Sequence, residues 1–132
     1  MPADRLIRID ADLGAVRQLA EAVRKEAVLA GLRSEAIVDL ELALVEAVNN
    51  IVIHGYLDEA GAIELCITRD SGVRLELRDW GRRIPEAELK GLERASPLDE
   101  SGRGIAIIRA CVDLLDYRSE EGLNRLTLFK GL

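Results

Sequence analysis

The sequence predicts an α+β fold: a two-layer α/β sandwich with helices on one face of a mixed, mostly antiparallel sheet. Three observations lead there. Apolar residues recur at steps of three and four in long segments, which is the helical period. They alternate residue by residue in shorter segments, which is the strand period. The segments follow in the order strand, two helices, two strands, loop, helix, two strands.

Leu6, Ile7 and Ile9 give a short first strand. Leu13, Val16, Ala20, Val23, Ala27 and Ala30 then form one stripe of an amphipathic helix, which Gly31 ends. Ser34 is the expected N-cap of the second helix, whose buried side carries Ile37, Leu40, Leu44, Ala47, Val48 and Ile51. Another side carries Glu35, Asp39, Glu46, Asn50 and His54, and Gly55 is expected to close the helix. Ile63, Leu65 and Ile67, then Val73, Leu75 and Leu77, alternate on either side of the turn Asp70-Ser71-Gly72, a hairpin pattern. One more step of the period puts Asp79 on the face of Leu75 and Leu77, so a carboxylate is expected to point toward the core. Residues 85–101 read as a charged loop with one helical turn near Glu86 to Leu89. Gly102-Arg103-Gly104 opens a third helix, and Leu114 to Ser119 and Arg125 to Phe129 are the last strands, joined by Glu120-Glu121-Gly122.

The 132 residues are expected to form one domain over 1–132, with a core of Leu, Ile, Val and Ala because aromatics are only 3%. A net charge of −6 argues against nucleic acid or an anionic membrane as the main partner and permits a basic protein partner. No apolar run is long enough to span a membrane. Cys66 and Cys111 lack short metal-ligand spacing and His54 is the sole histidine, so both cysteines are expected to be reduced core residues of a cytoplasmic protein.

Three segments carry the chemistry. Glu46 and Asn50 lie four apart, on one helix face, next to apolar neighbours. Paired Asn49 and Asn50 are poor helix formers, because their side chains compete for the backbone. A carboxylate can take a proton, and an amide oxygen can hold a hard cation, which together suggest magnesium-assisted chemistry on a phosphate. Asp79-Trp80-Gly81 ends a strand, and Gly102-Arg103-Gly104 opens a helix whose free N–H groups suit an anion. Each alone has an ordinary explanation: a solvated helix face, a turn, a common glycine pair. Their joint occurrence in this order is far more specific.

These motifs resemble the GHKL nucleotide-binding superfamily of gyrase B, histidine kinases and MutL. The nearest resemblance, over essentially the whole chain, is to the small serine/threonine kinases that act as bacterial anti-sigma factors. Glu46 to Asn50 and on to His54-Gly55-Tyr56 resembles the N-box, Asp79-Trp80-Gly81 the adenine-binding box, and Ser101-Gly102-Arg103-Gly104-Ile105 the phosphate-binding box. The resemblance implies the Bergerat ATP-binding fold, with ATP and Mg2+ as cofactors. It implies that Asn50 holds magnesium, Glu46 orients or deprotonates the attacking hydroxyl, and Asp79 accepts from the adenine amino group. It further implies that Gly81, Ser101, Gly102, Arg103, Gly104 and Ile105 belong to the nucleotide-binding boxes, with a lid over about Glu86 to Ser101. The implied partners are an anti-anti-sigma factor (a STAS-domain protein) and a sigma factor. A homodimer stays open, the first strand and helix resembling the family's dimer edge.

Some positions depart from the pattern. Arg83 stands where a further Gly is frequent, Gly122-Leu123-Asn124 where a Gly-Thr pair is common, and Glu100 where some kinases carry Arg. Arg103 is the candidate to supply that charge. Nucleotide binding is still expected, while a sequestering module with little or no kinase activity stays open as the alternative. A MutL-like clamp and a two-component histidine kinase are disfavoured by length and by the lack of a phosphoacceptor helix.

Overall fold

The expected elements form in the expected order. A computed structural model describes residues 3–89 and 100–132, with backbone alone for 100–103. The strands are β1 (Arg5–Asp10), β2 (Ala62–Arg69), β3 (Gly72–Asp79), β4 (Leu114–Glu120) and β5 (Leu123–Gly131). The helices are α1 (Val16–Ala30), α2 (Ser34–Asn50), the single turn α3 (Glu86–Leu89) and α4 (Glu100–Cys111). A 3-10 turn, Leu13–Ala15, leads into α1, and a π-helical turn, Ile51–Gly55, extends α2.

The sheet has the order β1-β2-β3-β5-β4. Every neighbouring pair is antiparallel, so the expected mixed character does not occur. The reason is topological. β3 and β4 run the same way across the helical crossover, but β5 folds back by a tight turn and inserts between them. Glu121 and Gly122 make that turn with φ of 52° and 83°, left-handed values that give the twist a two-residue hairpin needs.

Period-two alternation fixes which sheet face is covered. Ile63, Leu65, Ile67, Leu75, Leu77 and Leu128 are fully buried against the helices. Leu19 and Val23 of α1 and Leu40, Leu44 and Val48 of α2 meet them with no exposed surface. Burying a side chain of this size is worth about 1.5–3 kcal/mol, so this apolar layer dominates the stability. The opposite face is charged. Arg8 pairs with Glu64 at 2.6 Å, and Arg78 with Glu76 at 2.6 Å. Cys66 lies on that face, half-buried, rather than in the core, because it alternates with Leu65 and Ile67; Cys111 is buried as expected. Among the described residues no helix is long and apolar enough to cross a membrane.

Local corrections follow from backbone geometry. Arg33 occupies the cap of α2 with extended backbone and no side-chain cap, so Ser34 is the first helical residue. Leu13 sits in the 3-10 turn, where the helical period does not apply, and is 49% exposed; Leu19 takes the core position instead. α4 starts at Glu100, so Gly102 lies inside its first turn. Gly31 ends α1 as expected, with φ 86°.

The helical stretch ends at Gly55, as expected, but its last turn is not α-helical. It widens into the π turn, closed by the Tyr56 N–H to Ile51 carbonyl bond at 2.8 Å, and reverses through Leu57 and Asp58 at φ of 54° and 62°. The widened turn lets the end of β3 dock on helix backbone. The Arg82 N–H donates to the Gly55 carbonyl at 2.8 Å, and a Cβ on Gly81 would lie 2.7 Å from that carbonyl. Only glycine fits this approach. Gly81→Ala is expected to cost about 1–3 kcal/mol, as overpacking against backbone does, in a urea melt. An unchanged midpoint would show that the contact is not tight.

Candidate functional site

One row of the sheet turns from apolar to polar. Ile9, Ile63, Asp79, Asn124 and Ser119 lie opposite one another across all the strands in turn. Asp79 is in phase with Leu75 and Leu77, as expected, and is 5% exposed. A buried carboxylate must be met by donors or it takes up a proton. Here the donors converge on one oxygen. Asp79 Oδ1 accepts from Asn124 Nδ2 at 2.9 Å and from the Gly81 N–H at 2.9 Å. Burial pushes the carboxyl up from its ordinary value, and the bonds from Asn124 and then Gly81 pull the other way. No described residue donates to Oδ2.

Asp79 forms the floor of a narrow slot of about 80 Å3. Ala47, Ile51 and Gly55 wall it from the helix side, and Ile84, Tyr117 and Leu126 from the other. Tyr117 does two jobs: its ring faces the slot, and its hydroxyl accepts from the Ile84 N–H at 2.9 Å, fixing the chain after the strand. Tyr56 holds the rear, accepting from the Trp80 N–H at 2.8 Å and donating to the Ala62 carbonyl at 2.7 Å. Burial raises both phenols above their ordinary value. Trp80 points to the charged face, with the Arg8 guanidinium 5.7 Å from its ring centre.

Beside the slot lies a broader cleft of about 410 Å3 lined by Glu46, Asn49, Asn50, Ile53, Gly104 and Ile107. Asn50 and His54 wall both compartments, which therefore adjoin. The one-turn spacing of Glu46 and Asn50 puts both on this wall. Gly104 of α4 lies opposite, and a Cβ there would stand 3.6 Å from Glu46 Oε2. Neither Glu46 nor Asn50 hydrogen-bonds to a described residue, so a carboxylate and an amide face the cleft with their oxygens available. Among the described residues no His, Cys, Asp and Glu cluster could cage a metal. The Glu46 carboxylate and the Asn50 amide are oxygen donors of the kind magnesium takes, one or two from the protein with phosphates and water completing its shell.

The structure thus brings Glu46, Asn50, Asp79 and Gly104 to two adjoining compartments. Two expected site residues stand elsewhere. Gly81 packs on Gly55, with its N–H and carbonyl bonded to Asp79 and Asn124, and supports the slot from behind. Ile105 is 2% exposed and belongs to the core. The side chains of Ser101 and Arg103, the surroundings of Gly102, and most of the expected lid (90–99) lie outside the described residues.

The sequence reading missed Asn124 and Tyr117. The signal that found Asp79 was available for both. Counting back by two from Leu128 and Leu126 puts Asn124 on the core face, and Tyr117 shares the face of Leu115 and Ser119 by the same count.

Comparison with known proteins identifies the family. The protein-family model described as the histidine kinase-like ATPase domain matches residues 9–130. An anti-sigma F factor of Clostridium acetobutylicum is 31% identical over 100 residues, covering 73% of this chain and 70% of that protein. The anti-sigma F factor of Caldanaerobacter subterraneus subsp. tengcongensis is 30% identical over 105 residues, covering 74% and 73%. Among solved structures, the RsbU and RsbW domains of a Mycobacterium tuberculosis protein superpose with a TM-score of 0.65 at 22% identity, over 97% of this chain but only 32% of the other, a likeness of fold. The chain therefore belongs to the histidine kinase-like ATPase domain family, as its resemblance to the GHKL group led one to expect.

Proposed function

We propose that this protein is a single-domain, cytoplasmic ATP-dependent serine/threonine kinase and anti-sigma factor of a bacterial partner-switching system. It would phosphorylate a STAS-type anti-anti-sigma protein and, when that protein is modified, hold a sigma factor. The names of its relatives support the anti-sigma part. The single observation that carries the chemistry is the pair of adjoining compartments that share Asn50 and His54. A small slot is lined by a buried acceptor, Asp79, and beside it lies a cleft lined by Glu46 and Asn50.

In this reading the base enters the slot, with its amino group toward Asp79 Oδ2, and the triphosphate lies between Asn50 and the first turn of α4. The Asn50 amide oxygen would hold Mg2+, which supplies charge neutralisation of the phosphates. Glu46 holds the substrate hydroxyl and takes its proton. The hydroxyl oxygen bonds to the γ-phosphorus as the bond to the ADP oxygen breaks. The work of the protein is mainly positioning and electrostatics. Two copies of the chain could pair along β1 and α1, as the family resemblance suggests.

Three expectations test these assignments. Asp79→Asn should weaken ATP binding by about 1–3 kcal/mol in calorimetry, the range for a hydrogen bond to a charged group. It should also change stability with a defined sign. The Asp79 carboxyl is raised above its ordinary 3.8, so the folded protein binds that proton more tightly than the unfolded chain. Such a group subtracts stability as pH climbs from 3.8 through the raised value. Without nucleotide, the melting temperature of Asp79→Asn should therefore rise relative to wild type across that window and then level off. A flat difference would mean that Asp79 is not raised.

Asn50→Ala should fold yet lose the strengthening of ATP binding by magnesium. Equal magnesium dependence in both proteins would remove Asn50 as the ligand.

Glu46→Gln keeps size and hydrogen bonding but removes the base. It should still bind ATP and both protein partners, while transfer from radiolabelled ATP to the antagonist falls about 10²–10⁴-fold. Wild-type rates in the variant would exclude Glu46. A wild-type protein that binds ATP but transfers nothing to its cognate antagonist would be the sequestering module instead.

A further inference from the structure

Asn124 is a polar side chain at 1% exposure that the proposed chemistry does not use. Its hydrogen bonds all have a fixed sense. Oδ1 accepts from the Ser119 hydroxyl at 2.6 Å. Nδ2 donates one hydrogen to Asp79 Oδ1 at 2.9 Å and the other to the Gly81 carbonyl at 2.9 Å. Turned the other way, the amide oxygen would face the Asp79 carboxylate and that carbonyl, three acceptors with no proton between them. The amide therefore cannot flip without loss.

The consequence falls on Asp79. Two donors, Asn124 Nδ2 and the Gly81 N–H, pin Oδ1. The carboxylate cannot rotate without breaking both bonds, and Oδ2 is the oxygen left without a described donor. We infer that Asn124 is the positioning residue that sets the base preference of the slot: it holds Asp79 as a fixed acceptor, which takes an exocyclic amino group and rejects a 6-oxo base. This deepens the nucleotide reading above and rests on it. A 6-oxo group brought against a carboxylate sets acceptor against acceptor. A buried polar group left unpaired is what makes such discrimination strong. Were Asn124 absent, Asp79 would be free to turn and to hold a proton in its buried setting. It would then offer a donor that a 6-oxo base can use. The bond from Asn124 is the largest influence opposing the effect of burial on this carboxyl.

The test compares ATP with inosine triphosphate, which keeps the same sugar and phosphates and replaces the 6-amino group by an oxo group. Calorimetric titration of the full chain would use wild type, Asn124→Ala and the milder Ser119→Ala, each with its melting temperature. Wild type should prefer ATP. Asn124→Ala should lose about tenfold or more of that preference, and Ser119→Ala a smaller share in the same direction, as expected when an oriented charged hydrogen bond is loosened. A purely structural role would weaken both nucleotides by one factor. An unchanged preference in folded Asn124→Ala would overturn the inference. If that variant does not fold, Ser119→Ala decides: a reduced preference supports the inference and an unchanged one overturns it. Wild-type protein that binds neither nucleotide would instead overturn the nucleotide reading, and this inference with it.

Discussion

A carboxylate buried at the end of a central strand is the constraint on which this structure turns. Asp79 occupies a core-facing position that its neighbours two and four residues earlier fill with leucine. Left alone there it would be protonated, and a neutral acid presents a donor as readily as an acceptor. The fold meets this with a row of side chains from three adjacent strands, Ser119 to Asn124 to Asp79, each bonded to the next. The row exists because β5 inserts between β3 and β4. Had β4 paired directly with β3, Asn124 would not lie opposite Asp79. The antiparallel order of the sheet and the polarity of the slot are thus one feature.

The second requirement is that the two layers meet closely at this end of the sheet. The π turn after α2 brings Gly55 against Gly81, both without side chains, and the Arg82 N–H bonds across the gap. This joint puts the helix wall, with Ala47 and Ile51, over the strand that carries Asp79. The same helix presents Glu46 and Asn50 one turn apart to the broader cleft. Two compartments of different size then share the Asn50 and His54 wall. A flat aromatic base suits the narrow one. A charged, hydrated triphosphate suits the open one.

Much of this was legible in the chain itself. Apolar period located every described strand and the long helices, since burial on one face imposes the pattern wherever the segment lies. It also put Asp79 on the core face and Glu46 with Asn50 on one helix side. Register was not legible. Nothing local tells that Asn124 stands opposite Asp79, since that pairing joins residues far apart in sequence and depends on strand order. The same holds for the antiparallel order itself. The π turn escaped for a different reason: Gly55 ends the helix as its propensity suggests, but the widening of the turn before it goes with the tertiary docking of Gly81, which leaves no local trace in the sequence. Gly81 and Ile105 were assigned by motif, and a motif does not distinguish a residue that lines a cavity from one that shapes it from behind.

The central claim is that slot and cleft hold one nucleotide in one orientation. The most direct measurement is a crystal structure with a non-hydrolysable ATP analogue and magnesium. The account predicts the adenine amino nitrogen at about 2.7–3.2 Å from Asp79 Oδ2, with Asn124 still bonded to Oδ1 and the triphosphate on the Glu46 and Asn50 side. A base bound outside the slot, or phosphates lying against Asp79, would contradict it.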